Sequence, residues 1–202
     1  MGDDTMYHDG SRALQDRFGV RRLADRMVER IVHETFSDED RAFIESRPLF
    51  FQATADAHGR PDCSYKGGRP GFVRIVDERT LAFPSYDGNG MFKSAGNVLV
   101  NPHVGLLFID FEQPKRIRVN GGVQVSEDDS LCNDFPGAVL IVRVTATQIF
   151  PNCPRYIHKM SLVEHSVYAP KPDYVPPVPA WKTFDAFRDA LPPRDRESVN
   201  RS

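Results

Sequence analysis

Apolar positions recur at helical spacing through residues 11–33. Leu14 and Phe18 are four apart, and Leu23, Met27 and Ile31 continue that step with Val28 and Val32 beside them. Arginine and acidic residues fill the other face, so one amphipathic helix is predicted ahead of the domain body, packed on it or on a partner. Ser37-Asp38-Glu39-Asp40 then reads as an N-cap followed by an acidic first turn, opening a short helix through Ser46. From Pro48 the period changes from helical to strand-like. LFFQATA, CSYKGG, FVRIV, TLAFPSY, VGLLFIDF, KRIRVNGGVQV and AVLIVRVTATQIF are short β-prone runs bounded by Gly, Pro, Asn or Asp. Their spacing leaves no room for repeated βαβ units, so an antiparallel sheet closed into a barrel is predicted. One helix interrupts the strands at about Gly90 to Asn101, and a second short one fits Glu127–Asn133. APKPDYVPPVPAW, near the end, predicts extended polyproline-like chain, and DRESVNRS a frayed terminus.

Composition narrows the classes. With 202 residues, 40% hydrophobic and 27% charged, the chain suits one globular domain with tails. A net charge of −2 gives no global field for nucleic acid or an anionic membrane. No apolar run approaches the roughly 20 residues a membrane span needs. The acidic start, MGDDTMYHDG, has no apolar core of a signal peptide, so a cytoplasmic location is expected. Cys63, Cys132 and Cys153 form no C-x-x-C pair, and neither a disulfide framework nor a metal site is predicted.

The stretch SYDGNGMFKSAGN, residues 85–97, carries the most chemistry. A strand ends at a glycine turn and a helix follows, with Lys93 and Ser94 on its first turn. Unpaired N–H groups, an ammonium and a hydroxyl can there meet one phosphate. It is not a Walker A loop, because Phe92 rather than Gly precedes Lys93, and it lacks the Rossmann spacing. An ordinary capped helix start remains the competing reading. Lys66, with Ser64 and Tyr65, reads either as an anion contact or as part of a plain hairpin. Arg116 and Arg118 share one strand face, which suits either a phosphate or solvent. In FPNCPRYIHKM, prolines bracket Asn152-Cys153 and present a rigid loop. Cys153 beside Arg155 and His158 is a candidate low-pKa thiol, with a structural cysteine the default.

Taken in order, PLFFQATADAHGRPDCSYKGG, GFVRIVDERTLAFPSYDGNGMFKSAGNVLVNPHVGLLFIDF and KRIRVNGGVQV resemble the pyridoxamine 5′-phosphate oxidase-like family of FMN-binding split barrels, over roughly Phe43 to Met160. The resemblance implies a mainly β fold with peripheral helices, a six-stranded antiparallel split barrel, usually a homodimer with FMN at the subunit interface. It places Lys93 and Ser94 at the FMN phosphate and Lys66 at the phosphate or ribityl chain. Cys63, Ser64 and Tyr65 would follow the isoalloxazine edge. Pro84, Ser85, Tyr86, Asn89 and Met91 would line the ribityl and ring side. Arg155 would contact an anion or substrate from a loop on the other subunit or over the ring. The chain departs from the biosynthetic oxidase in two ways. Met91-Phe92-Lys93 stands where that enzyme has a basic pair, and its C-terminal substrate motif of a tryptophan with arginines is absent, Trp181 lying outside such a motif.

The resulting expectation is an N-terminal helical extension over 1–36, a split-barrel domain over 37–165 and a proline-rich tail over 166–202. The function expected is an FMN-dependent oxidoreductase passing hydride or electrons between a reduced donor and a small molecule, with no catalytic acid or base assigned. The alternatives are a non-catalytic flavin or heme protein, an F420-dependent reductase on the same fold, or a cysteine hydrolase through Cys153.

Overall fold

The computed structural model describes residues 6–201, so the first five residues of the acidic N-terminal stretch lie outside it. The predicted single N-terminal helix is two helices, α1 (Asp9–Arg17) and α2 (Arg21–Ile31). The break falls at Gly19, whose φ of 66° is left-handed and costs glycine nothing. Its N–H and that of Val20 turn back onto the Asp16 and Gln15 carbonyls, closing α1. Neither helix buries a residue, and Leu14, Phe18, Leu23 and Met27 remain exposed. The chain joins the barrel at His33, which bridges to Ile149. In α3 (Asp38–Glu45) Ser37 and Asp40 form the reciprocal capping box that the acidic first turn predicts.

Seven strands follow, one for each β-prone run and one more than the six-stranded barrel that the resemblance implies: β1 (Leu49–Ala55), β2 (Pro61–Gly67), β3 (Arg74–Ile75), β4 (Thr80–Tyr86), β5 (His103–Asp110), β6 (Lys115–Ser126) and β7 (Ala138–Pro151). The shortest, β3, is what remains of FVRIV, only two residues long. The order is β2-β1-β5-β6-β7-β4-β3, and every pair is antiparallel.

Four ladder steps separate β1 from β4, a distance of about 19 Å across a flat sheet. Yet the Phe50 and Phe83 rings meet edge-on with centroids 4.8 Å apart, and Phe50 also touches Phe108 at 5.0 Å. The sheet has therefore curled into a barrel around these rings, split where β2 and β3 do not pair among the described residues. Between β6 and β7 the register shifts at Asn120/Gly121, an irregularity of the kind that bends a strand. The backbones pass so closely there that a Cβ on Gly121 would lie 2.1 Å from the Thr145 carbonyl oxygen. Alternate residues of β1, β4, β5, β6 and β7 fill the interior with Phe, Leu, Ile and Val.

Helix α4 (Lys93–Val100) crosses the barrel end between β4 and β5. It starts three residues later than Gly90, because Gly90 and Phe92 both have left-handed backbone, at φ 76° and 47°. Buried Asn97 anchors α4 by donating from Nδ2 to Thr54 Oγ1 on β1 at 3.0 Å.

The C-terminal chain is not frayed among the described residues, which leave out Ser202 of DRESVNRS. Its prolines run extended to a 3-10 turn at Ala180–Thr183, then α5 (Asp185–Arg188) and α6 (Pro193–Arg201). Leu191 and Lys182 are buried, so the segment is folded against the barrel.

Candidate functional site

Strand β4 ends at a bulge between Ser85 and Tyr86, which turns the chain out of the sheet. The loop from Asp87 to Phe92 follows. Asn89 Oδ1 accepts the Met91 N–H at 3.1 Å, a short turn that presents Met91 and Phe92 outward, both exposed. Phe92 is the N-cap of α4 with φ 47°, a conformation a bulky residue adopts only when its surroundings impose it. No side chain caps this helix and its first turn carries no acid. The N–H groups of the first turn thus open toward a cavity of about 740 Å³ bordered by Phe92, Lys93, Ser94 and Ala95. That volume lies inside the roughly 300–1,000 Å³ usual for small-molecule sites.

A second wall is β2. Its alternation turns Asp62, Ser64 and Lys66 inward, half-buried, while Cys63 and Tyr65 are exposed. Cys63 borders the cavity at its rim. The Lys66 side chain has no hydrogen bond or salt bridge among the described residues. Burial pulls its pKa below the usual lysine range, partly countered by the charge of Asp62. Asp62 itself accepts a hydrogen bond from Ser94 Oγ at 3.2 Å, tying β2 to the first turn of α4. Tyr86 forms a third side; burial pushes its phenol up to about 12, so it stays a neutral donor across the physiological range.

Of the sequence-predicted residues, Cys63, Ser64, Lys66, Ser85, Tyr86, Asn89, Met91, Lys93 and Ser94 border this one cavity. Three do not. Pro84 is buried within β4, paired with Ile141. Tyr65 turns to the outer face of β2, its ring edge-on to Phe51 at 6.0 Å, and borders a smaller cavity of about 200 Å³ that shares Tyr86, Tyr168 and Pro170 with the first. Arg155 is exposed beside the Tyr156 ring, 5.9 Å from its centroid, outside both cavities. The adjoining Cys153 is exposed too, its carbonyl accepting from Arg116 Nη2 at 2.8 Å.

Sequence reasoning missed Asp62, Asp87, Trp181 and Arg194, all on the cavity wall. Asp62 was within reach, since residues two and four before Lys66 share its strand face. Trp181 and Arg194 carry no local signal, because only the folding back of the tail brings them to the cavity.

Among the described residues no group of three or more His, Cys, Asp or Glu is arranged to hold a metal ion. No described helix is long and apolar enough to cross a membrane.

Comparison with known proteins places the barrel. No curated protein sequence matches the chain. Among solved structures, a putative pyridoxamine 5′-phosphate oxidase from Lactobacillus delbrueckii is 22% identical, covering 58% of this chain and 95% of its own, with a TM-score of 0.47. HupZ of Group A Streptococcus is 17% identical, covering 62% of this chain and 99% of its own, with a TM-score of 0.47. HutZ, the heme storage protein from Vibrio cholerae, is 20% identical, covering 57% and 94%, with a TM-score of 0.42. A family model described as pyridoxamine 5′-phosphate oxidase matches residues 36–160, from the turn before α3 through all seven strands, α4 and the Asn152–Met160 loop. The chain therefore belongs to the pyridoxamine 5′-phosphate oxidase family.

Proposed function

We propose that this chain binds FMN in the larger cavity and serves as an oxidoreductase, passing hydride or electrons between a reduced donor and a small molecule. The observation that carries this reading is the uncapped first turn of α4, with Lys93 and Ser94, facing the unpaired, half-buried Lys66 across one cavity. A phosphate there would gain helix N–H donors and two ammonium groups and would relieve the cost of burying Lys66. Lys66, Lys93 and Arg194 set against Asp62 and Asp87 leave a small cationic excess, suited to one phosphate rather than the longer acidic tail of F420. No histidine borders this cavity among the described residues, which favours a flavin over heme.

The bound flavin would supply the redox chemistry through its isoalloxazine ring. The chain's part is to hold the phosphate end with Lys66, Lys93 and α4, and to offer the protonated Tyr86 hydroxyl as a donor. The partner in this reading is a second copy of the chain. The outer face around Phe51 and the exposed Tyr65 is the surface it would cover, and the loop carrying Cys153 and Arg155 would reach a site from there.

The visible absorption spectrum after adding FMN and removing the excess tests the reading. Retained flavin in the wild type, weakened in Lys93→Ala, is the expected result. A protein that stays colourless overturns it.

A further inference from the structure

Another side of the larger cavity comes from the C-terminal segment: Pro176, Pro177, Pro179, Trp181 and Arg194. Between Pro170 and Ala180 this segment makes no backbone hydrogen bond to any strand among the described residues. What fastens it is Lys182. The Lys182 side chain is 5% exposed, with Nζ 2.6 Å from Asp87 Oδ2 and 2.9 Å from Asp195 Oδ2. Arg194 reaches the other oxygen of the same carboxylate, Nη2 to Asp87 Oδ1, at 3.0 Å. Asp87 belongs to the cavity loop, directly after Tyr86, and Asp195 to α6. One buried ammonium therefore joins the cavity loop to the tail.

Desolvation works against the Lys182 charge more than any other single effect, yet its hydrogen bonds to Asp87 and Asp195 together raise its pKa above the usual lysine value. Without Asp87 this cation keeps Asp195 as its partner but loses its link to the cavity loop, so the fastening of loop to tail depends on Asp87. The prolines stiffen the chain ahead of it, so the segment between Pro176 and Trp181 moves as one piece.

We propose that Lys182 is a positioning residue which, through Asp87, holds the C-terminal segment along the cavity as a partial cover whose loosening speeds a ligand's exit. The identity of that ligand as a flavin rests on the function proposed above; the cover itself does not.

Trp181 is the chain's only tryptophan and sits on the cover, so its fluorescence reports the cover's position. The test compares wild type with Asp87→Asn and Asp87→Glu in the full-length protein. Acrylamide quenching of Trp181 is measured without ligand, and the release rate of FMN after loading. Asp87→Asn is expected to raise the quenching constant about twofold and to speed FMN release about tenfold, the usual way a loosened site shows itself. Asp87→Glu, which keeps the charge, is expected to stay close to wild type. Should Asp87→Asn lose its cooperative melt, Lys182→Met breaks the same link from the tail side and is read in the same way. Unchanged Trp181 quenching in the neutral variant overturns the cover, whatever FMN does. A wild type that takes up no FMN overturns the flavin reading alone. The quenching comparison still decides the cover, a rise supporting it and no rise removing it.

Discussion

Ser94 on the first turn of α4 donates its hydroxyl proton to Asp62 on β2, Oγ to Oδ2 at 3.2 Å. The two residues join α4 to β2 at the cavity's edge, and the carboxylate stands where an anionic ligand would be drawn by Lys66 and Lys93. Asp62 therefore opposes phosphate binding electrostatically and engages a hydroxyl the phosphate would use. Asp62→Asn is expected to tighten FMN binding by about tenfold, roughly 1.4 kcal/mol, while changing riboflavin affinity little. Flavin fluorescence titration with both ligands checks this. A variant that binds FMN more weakly than wild type would show that Asp62 supports the site.

Lys66 carries the opposite trade. Its pKa is lowered by burial, so between that lowered value and the ordinary lysine value near 10.5 the unfolded chain binds more protons than the folded one. In that window this residue's contribution makes the ligand-free protein more stable as pH rises, and below it the residue is a net cost. Lys66→Met is expected to raise the ligand-free melting temperature at neutral pH by about 2–4 °C, the shift that roughly 1 kcal/mol gives a chain of this length. The same substitution should weaken FMN binding about tenfold. Thermal melts and titrations on one preparation test both. Destabilisation would show that Lys66 is satisfied without a ligand.

Because binding leaves Lys66 charged beside an anion, FMN affinity should also fall as pH rises through its lowered pKa, and Lys66→Met should flatten that fall. Titrations across the alkaline range read this out, with riboflavin as the uncharged reference.

Asn97 and Thr54 form a buried hydrogen bond that holds α4 to β1. Asn97→Ala leaves the Thr54 hydroxyl without its donor and opens a small void, at an expected cost of about 1–3 kcal/mol in denaturant unfolding. Since the bond lies one turn beyond Lys93 and Ser94, FMN affinity should fall with it. Thr54→Val should match the stability loss within about 1 kcal/mol if the pair acts as a unit.

Much of the barrel was legible because its strands announce their own ends. Thr80–Tyr86 is the run TLAFPSY and Leu49–Ala55 is LFFQATA, each closed by turn residues that stop the ladder. FVRIV reads as strongly β-prone, yet only Arg74 and Ile75 pair, because Phe72 and Val73 are used to plug the core instead. The helix break at Gly19 was hidden by apolar spacing that runs straight through it; the pattern records which face is apolar and not whether the axis continues. At the site, Lys93, Ser94 and Lys66 could be found because helix starts and strand faces are local. The links among Asp87, Lys182 and Asp195 could not, since 95 residues separate the first two and nothing near Lys182 distinguishes a buried lysine from a solvated one.

Two adjacent glycines on β6 have different fates. A Cβ at Gly121 would strike the Thr145 backbone, whereas at Gly122 it would meet only the Pro102 carbonyl oxygen, 4.0 Å away. A methyl group at the first position would wedge β6 from β7 at their register shift. The sheet would then have to flatten, drawing the Phe83 ring away from Phe50 on the far side of the core. In a saturation library, position 121 should tolerate almost nothing and position 122 a range of small side chains. The closure of the whole barrel depends on a clearance narrower than one carbon atom.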